Sequence, residues 1–122
     1  MAKYTFVVLT NATAGKDDEF NQWYNGQHIP DVLSVPGFVC AQRFRLAETQ
    51  MGDKNKPHKY LALYEIETND LPAVLKEMQA RGGTADMVMS DAIDMKSVAA
   101  YIFTPAAEKV MSKDVAHPRR AA

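Results

Sequence analysis

Hydrophobic and polar residues repeat along this chain with two periods, which together predict four strands and two helices. Strands are predicted where short apolar or alternating runs are bounded by turn residues, at 4–10, 38–46, 59–67 and 95–103. Helices are predicted where apolar residues recur every three to four positions, at about 18–29 and 71–81. The order is βαββαβ, so we expect the ferredoxin-like α+β fold, an antiparallel four-stranded sheet with two helices on one face.

The first helix carries a histidine on its apolar face. The inward positions at helical spacing are Phe20, Trp23, Tyr24, Gln27 and His28. Histidine has an ordinary pKa of about 6.5 and exchanges protons near neutral pH, so its place on a buried face indicates a pocket. Pro30 cannot extend the hydrogen-bond ladder, and we therefore expect the helix to stop or kink near His28 and Ile29.

Capping and loop residues mark the ends of these elements. Asp17 or Asp18 is expected to cap the first helix, and Asn69 or Asp70 the second. The polar run 47–58 is expected to join the second and third strands as a long hairpin loop.

Both faces of the predicted sheet are apolar. In the first strand, Phe6 and Val8 lie on one side, and Val7 lies with Leu9 on the other. Because helices cover only one face of such a sheet, the other apolar face needs a partner, and we expect a homodimer that packs sheet against sheet. This domain is expected to span residues 1–104. Residues 105–122 would form a C-terminal extension, either a peripheral arm or a frayed tail.

Composition and charge exclude several classes of protein. The 122 residues are 47% hydrophobic and 24% charged, as in one ordinary globular domain, and the formal net charge is −1. Such a charge offers no attraction to nucleic acid or anionic lipid. No signal peptide and no run of roughly 18 apolar residues is visible, so we expect a cytoplasmic protein without membrane or nucleic-acid partners. The single cysteine, Cys40, lies among apolar residues and is expected to be buried.

These motifs resemble those of the EthD-like group of the dimeric α+β barrel superfamily. The resemblance rests on the Trp-Tyr-x-x-x-His-Ile-Pro string that begins at Trp23, on Pro36-Gly37-Phe38, and on the strand segments 41–45 and 60–65. It covers about residues 3–103. It implies a dimeric barrel built from two sheets, with a pocket between helices and sheet lined by His28. The superfamily includes monooxygenases, polyketide cyclases, dehydratases, isomerases and haem-related enzymes.

Three residues are candidates for catalysis. His28 would take a proton from an activated carbon or hydroxyl, or return one to an enolate; the alternative is a structural histidine bonded to a backbone carbonyl. Asp31 would orient the imidazole if the helix continues through Pro30, and otherwise caps a turn or is solvated. Tyr64 shares a strand face with Tyr60, and either hydroxyl would complete an oxyanion contact if that face looks toward the helices. Tyr64 is assigned to catalysis and Tyr60 to substrate binding.

Five further residues are candidates for substrate binding. Trp23 and Tyr24 would stack on an aromatic ligand, with core packing as the alternative. Arg43 would reach inward to hold an anionic or carbonyl group, whereas arginines at a sheet edge or dimer rim are common. Met87 and Met89 belong to a methionine-rich segment that would form a flexible wall or lid, with ordinary packing as the alternative.

The residues and the resemblance together predict proton transfer without a cofactor. The substrate would be a small hydrophobic, aromatic or polyketide-like carbonyl compound, and the enzyme a lyase, dehydratase, isomerase or cyclase. Three alternatives stay open: a cofactor-independent monooxygenase, a non-catalytic accessory protein that binds a hydrophobic metabolite in a degradation pathway, and a plain dimeric scaffold without a cavity. No metal is expected, because His28 and Asp31 offer only two ligands and His58 falls in a remote loop.

Overall fold

The computed structural model describes residues 1–116 and shows the predicted order of elements. The strands are β1 (Ala2–Thr10), β2 (Phe38–Arg45), β3 (Tyr60–Thr68) and β4 (Ala99–Phe103). The helical elements are α1 (Asp17–Trp23), a π-helical turn (Tyr24–His28), α2 (Ile29–Leu33) and α3 (Leu71–Arg81). The strands form one antiparallel sheet in the order β2-β3-β1-β4, which confirms the ferredoxin-like α+β fold.

One face of the sheet packs on the helices and forms the core. Every second residue of β3 is buried there, because successive side chains of a strand point to opposite faces. The helices contribute Phe20 from α1, Val32 from α2 and Val74 from α3, all of them buried against this face. Tyr64 of β3 therefore looks toward the helices, as a role beside His28 requires.

The first helical stretch does not stop at Pro30 but widens into the π-helical turn just before it. The Ile29 backbone N–H donates to the Tyr24 carbonyl oxygen, five residues back. Pro30 lacks an N–H and its ring crowds the carbonyl oxygen four residues earlier in a regular α-helix, so a wider turn accommodates it. This turn also changes the inward face, because Tyr24 and His28 are buried whereas Gln27, predicted to point inward, is exposed.

The start of β4 and the cap of the first helix differ from the predictions. β4 begins at Ala99 rather than at residue 95, because the chain first forms a 3₁₀ turn at Met95–Ser97. α1 starts without a side-chain cap, so neither Asp17 nor Asp18 plays the predicted role. Asp70 does cap α3, since its carboxylate accepts a hydrogen bond from the backbone N–H three residues on.

The outer face of the sheet is apolar and faces solvent in the described chain. Val7 in β1 pairs with Leu63 in β3 at its centre. At the β4 edge, Tyr101 and Phe103 expose 53% and 54% of their surface. An uncovered face of this kind is what the sequence pattern predicts.

Cys40 lies on this outer face, and the prediction that it is buried is wrong. Cys40 pairs with Glu65 on the outer side of β3, out of phase with its neighbour Ala41, which pairs with the buried Tyr64. The thiol is exposed there.

Residues 104–116 follow β4 and are exposed throughout, with one short 3₁₀ turn at Ser112–Asp114. The rest of the predicted C-terminal extension, residues 117–122, lies outside the described residues. Within residues 1–116, none of the helices has the length and apolar character needed to cross a membrane.

Candidate functional site

A cavity of about 380 Å³ lies between the inner face of the sheet and the helices. Its apolar lining includes Phe6, Val8, Leu75, Ile93 and Ile102. The polar side chains in its lining belong to Tyr24, His28, Tyr64 and Gln79. A mostly apolar wall with a few polar groups, and a volume within about 300–1,000 Å³, are typical of small-molecule sites.

His28 contributes its ring to this cavity and is 9% exposed. The ring stacks on Trp23, which lies outside the cavity wall, at 4.7 Å between centroids, and meets Tyr24 almost at a right angle at 4.9 Å. Its Nδ1 atom is buried and has no hydrogen-bond partner within residues 1–116. Burial lowers the pKa of His28 to about 4, the charge of Asp31 opposes this shift, and the charge of Arg43 adds to it. The ring is therefore neutral at physiological pH and able to accept a proton.

Asp31 acts on His28 through its charge, while its hydrogen bonds go elsewhere. Its Oδ2 accepts from Gln27 Nε2 at 2.7 Å and from the backbone N–H of Val88 at 3.2 Å. Trp23 Nε1 donates to the carbonyl oxygen of the same residue, Val88, at 3.0 Å. Two side chains of the helical stretch thus hold both backbone polar groups of Val88 and fasten the methionine-rich segment (residues 86–95) against it.

Two buried tyrosines lie beside His28 in the cavity wall. The Tyr64 hydroxyl donates to the Tyr24 hydroxyl over a long distance of 3.4 Å, and each side chain is only 1% exposed. Burial raises the pKa of both phenols, so both stay protonated at neutral pH. The pair offers neutral hydrogen-bond donors to a carbonyl oxygen in the cavity.

Four methionines line the cavity, three of them in the methionine-rich segment (residues 86–95) that the sequence predicts to be a wall or lid. Met87 is 2% exposed and Met89 is 39% exposed. Two of the four are not among the predicted binding residues: Met78, which belongs to the apolar stripe of α3, and Met95, the last residue of the methionine-rich segment. Flexible thioether side chains suit a cavity that adapts to the shape of its ligand.

Arg43 and Tyr60, predicted to bind substrate beside His28, lie away from the His28 cavity. The Arg43 Cζ atom is 4.2 Å from the centroid of the Tyr24 ring, which also contacts His28. Neither Arg43 nor Tyr60 belongs to the wall of the His28 cavity. Both line a separate open cleft of about 290 Å³. The predicted binding residues thus fall into two groups, with Tyr24 between them.

No candidate metal centre is present in the part of the chain that the structure describes. Within residues 1–116, no group of three or more His, Cys, Asp or Glu side chains is placed to hold one metal ion. His58 lies in the loop between β2 and β3, where its Nε2 is 2.6 Å from the Ser97 carbonyl oxygen.

Comparisons with known proteins give one structural likeness to report. No protein-family model matches the chain, and no curated protein sequence matches it. The chain is similar to the crystal structure of an ethyl tert-butyl ether d (EthD) family protein from Bacillus halodurans C-125, at 14% identity and a TM-score of 0.48. The likeness covers 86% of this chain and 99% of that one.

Proposed function

We propose that the chain is a small enzyme that transfers protons on a hydrophobic carbonyl compound without a cofactor. One observation carries this proposal: the neutral, buried imidazole of His28 lines an apolar cavity beside two protonated phenols. A base next to neutral hydrogen-bond donors is the arrangement that proton abstraction beside a carbonyl group requires.

His28 is the proposed base. A ring nitrogen takes a proton from the carbon next to the substrate carbonyl, the C–H electron pair forms the C=C bond of an enolate, and the imidazole becomes imidazolium. The imidazolium then returns the proton to another carbon in an isomerisation, or to a leaving hydroxyl group in a dehydration. The enolate charge stabilises the buried imidazolium, because a nearby opposite charge favours the charged form. General base catalysis of this kind contributes about 10²- to 10⁴-fold in rate.

Tyr24 and Tyr64 are the proposed donors to the carbonyl oxygen, with the Tyr64 O–H turning to the substrate in place of its long contact to Tyr24. Because both phenols stay protonated, they stabilise negative charge on that oxygen without giving up a proton. Asp31 has a positioning role, since its carboxylate raises the pKa of His28 against the effect of burial and holds Val88 in the segment that walls the cavity.

The cavity wall favours a hydrophobic substrate. Among the described residues that line it there is no Asp, Glu, Lys or Arg side chain. A charged compound would lose its hydration there without gaining an ionic partner. An aromatic or polyketide-like compound with one carbonyl group would bury its rings against Met87 and Met89 and present its oxygen to the tyrosines.

Deuterium exchange into a model ketone tests the proposal. The probe is 2-tetralone, a bicyclic aryl ketone with acidic C–H groups beside its carbonyl, and its deuteration in D₂O is followed by NMR. The protein is expected to accelerate exchange above the buffer rate, and His28→Ala is expected to return the rate to that of buffer. His58→Ala removes a histidine outside the cavity and is expected to keep the parent rate.

Ligand binding is measured separately in the same proteins. Trp23 is the only tryptophan of the chain and stacks on His28, so its fluorescence reports occupation of the cavity. Retained binding with lost exchange in His28→Ala supports the catalytic role. Exchange that continues at the parent rate in His28→Ala refutes it.

A non-catalytic binding protein is the second candidate. The observation in its favour is the low pKa of His28, about 4, because a base that binds its proton weakly is a poor catalyst near neutral pH. In this case His28 anchors the polar group of a sequestered hydrophobic metabolite. A parent protein whose Trp23 fluorescence responds to 2-tetralone, but which leaves its exchange at the buffer rate, favours this candidate.

We also propose that two copies of the chain pack through the outer faces of their sheets. The support is the exposed apolar surface that contains Leu63, Tyr101 and Phe103, since contiguous patches of this kind mark interfaces. Light scattering after size-exclusion chromatography is expected to give a dimer for the parent and a monomer for Leu63→Glu. Lys76→Glu, on exposed α3 surface, is the matched control and should stay dimeric. A monomeric parent refutes the proposal.

A further inference from the structure

A polar cleft adjoins Tyr24 and is separate from the His28 cavity. It encloses about 290 Å³, opens to solvent, and is lined by Asn21, Asn25, Arg43, Phe44, Arg45 and Tyr60. Arg43 and Arg45 pair in the sheet with Ala62 and Tyr60, two buried residues of the inner face. Residues directly opposite in an antiparallel pair share a face, so both arginine side chains project on the helix side of the sheet.

The guanidinium group of Arg43 is held in a fixed orientation. Nη1 donates to Asn25 Oδ1 at 2.8 Å, and Nη2 donates to Asn21 Oδ1 at 3.0 Å. The group lies 4.2 Å from the ring centroid of Tyr24 and 5.3 Å from that of Phe20. Its buried Nε has no hydrogen-bond partner within residues 1–116. The guanidinium has five N–H groups, so donors remain after two of them have bonded to the asparagines.

The cleft carries an excess of positive charge. Neither Arg43 nor Arg45 forms an ion pair with a carboxylate of the described chain. The carboxylate that reaches the cleft lining is Asp17, which accepts from the Tyr60 hydroxyl at 2.7 Å. The cleft therefore has two guanidinium charges and one carboxylate charge. Burial lowers the pKa of Arg43, which shows that its charge lacks full solvation or compensation.

We propose that this cleft binds an oxyanion, the carboxylate or phosphate group of a small polar molecule, between the fixed guanidinium of Arg43 and the exposed guanidinium of Arg45. The planar fork of N–H groups in arginine matches both kinds of oxyanion. Asn21 and Asn25 are positioning residues, because they hold Arg43 rather than the ligand. This ligand is chemically distinct from the hydrophobic compound of the His28 cavity, and the ring of Tyr24 lies between the two sites.

Titration with acetate and with inorganic phosphate tests this site, with chloride at matched ionic strength as the reference. The readouts are the NMR resonances of Arg43 Nε and of the side-chain amides of Asn21 and Asn25. We expect saturable shifts with at least one probe and binding about tenfold weaker in Arg45→Gln, which loses a charge-assisted hydrogen bond. Lys76→Gln removes one positive charge from exposed α3 surface and is expected to bind as the parent does.

Arg43→Lys provides the second variant, since it keeps the charge but loses the planar fork, and it is also expected to bind more weakly. If Arg43→Lys fails to fold, Arg45→Gln still decides, because Arg45 is exposed. Saturation by acetate alone identifies a carboxylate site, by phosphate alone a phosphate site, and by both a general oxyanion site. The absence of saturable shifts with either probe, or equal affinity in Arg45→Gln and the parent, overturns the proposal.

Discussion

The ring of Tyr24 contacts two basic side chains, and burial leaves one of them neutral and the other charged. The ring of His28 lies nearly perpendicular to the Tyr24 ring at 4.9 Å between centroids, and the guanidinium of Arg43 lies 4.2 Å from the Tyr24 centroid. Burial lowers the pKa of both groups. Histidine titrates near neutrality, so the shift to about 4 leaves His28 uncharged, whereas arginine titrates so far above neutrality that Arg43 keeps its charge. The same physical effect therefore produces a neutral base and a fixed cation.

The two groups are also coupled through their charges. The positive charge of Arg43 adds to the lowering of the His28 pKa, after the larger effect of burial. Tyr24 keeps them apart sterically while the electric field of Arg43 still reaches His28. Substitutions can remove three parts of this arrangement one at a time: the Tyr24 ring, the titration of His28, and the Asp31 carboxylate that opposes the lowering of the His28 pKa.

Removing the ring is expected to have the largest effect. Tyr24→Ala takes a fully buried aromatic side chain out of the core, and the free energy of unfolding should fall by about 3–5 kcal/mol, the range for truncation of large aromatic residues. Urea unfolding measures it. Tyr24→Phe keeps the ring and loses only the long contact to the Tyr64 hydroxyl, so it should cost less than about 1.5 kcal/mol. A small loss in Tyr24→Ala would contradict a structural role for this ring.

Changing the titration of His28 is expected to have the next largest effect. The pKa is about 4 in the folded chain against an ordinary 6.5, so between these values the unfolded chain binds more protons. The contribution of His28 to the free energy of unfolding is therefore largest above pH 6.5. It falls by about 3 kcal/mol as the pH drops toward 4. His28→Phe removes this contribution, so its stability should fall less steeply with acid than that of the parent.

Urea unfolding of both proteins from pH 7 to pH 4 measures this difference. His58→Gln removes a histidine that hydrogen-bonds Ser97, and it retains the steep loss because His28 is still present. Parallel pH profiles for His28→Phe and the parent would show that His28 is not the group responsible.

The sequence predicts the fold well because its signals are local. The two periods of apolar residues and the cap at Asp70 depend on neighbours within one helix or strand, and the order of elements along the chain and the bounds of α3 follow from them. The π-helical turn lies beyond such reasoning. Pro30 signals an interruption, but whether the chain ends or widens depends on how Tyr24 and His28 pack in the core.

The site is predicted less completely, because strand alternation tells on which face of the sheet a residue lies but not which cavity it lines. The alternation of β2 places Arg43 on the inner side, yet Tyr24 occupies the space between Arg43 and the cavity. No periodicity in the sequence predicts that Tyr24 separates Arg43 from the His28 cavity. The bulge in β2 is a similar case, because the extra residue between Phe38 and Cys40 turns Phe38 to the inner face, whereas strict alternation would place it outward with Cys40.

Replacing Asp31 is expected to have the smallest effect and to separate its two roles. Asp31→Ala removes both the acceptor of the Val88 N–H and the charge near His28, whereas Asp31→Asn keeps an acceptor oxygen and removes only the charge. Both variants should lower the pKa of His28 further, as followed by NMR titration of its ring. Only Asp31→Ala should speed hydrogen exchange at Val88, by about tenfold for a hydrogen bond of about 1.4 kcal/mol. Equal exchange at Val88 in all three proteins would mean that packing alone holds the methionine-rich segment, and that Asp31 acts on the site through its charge.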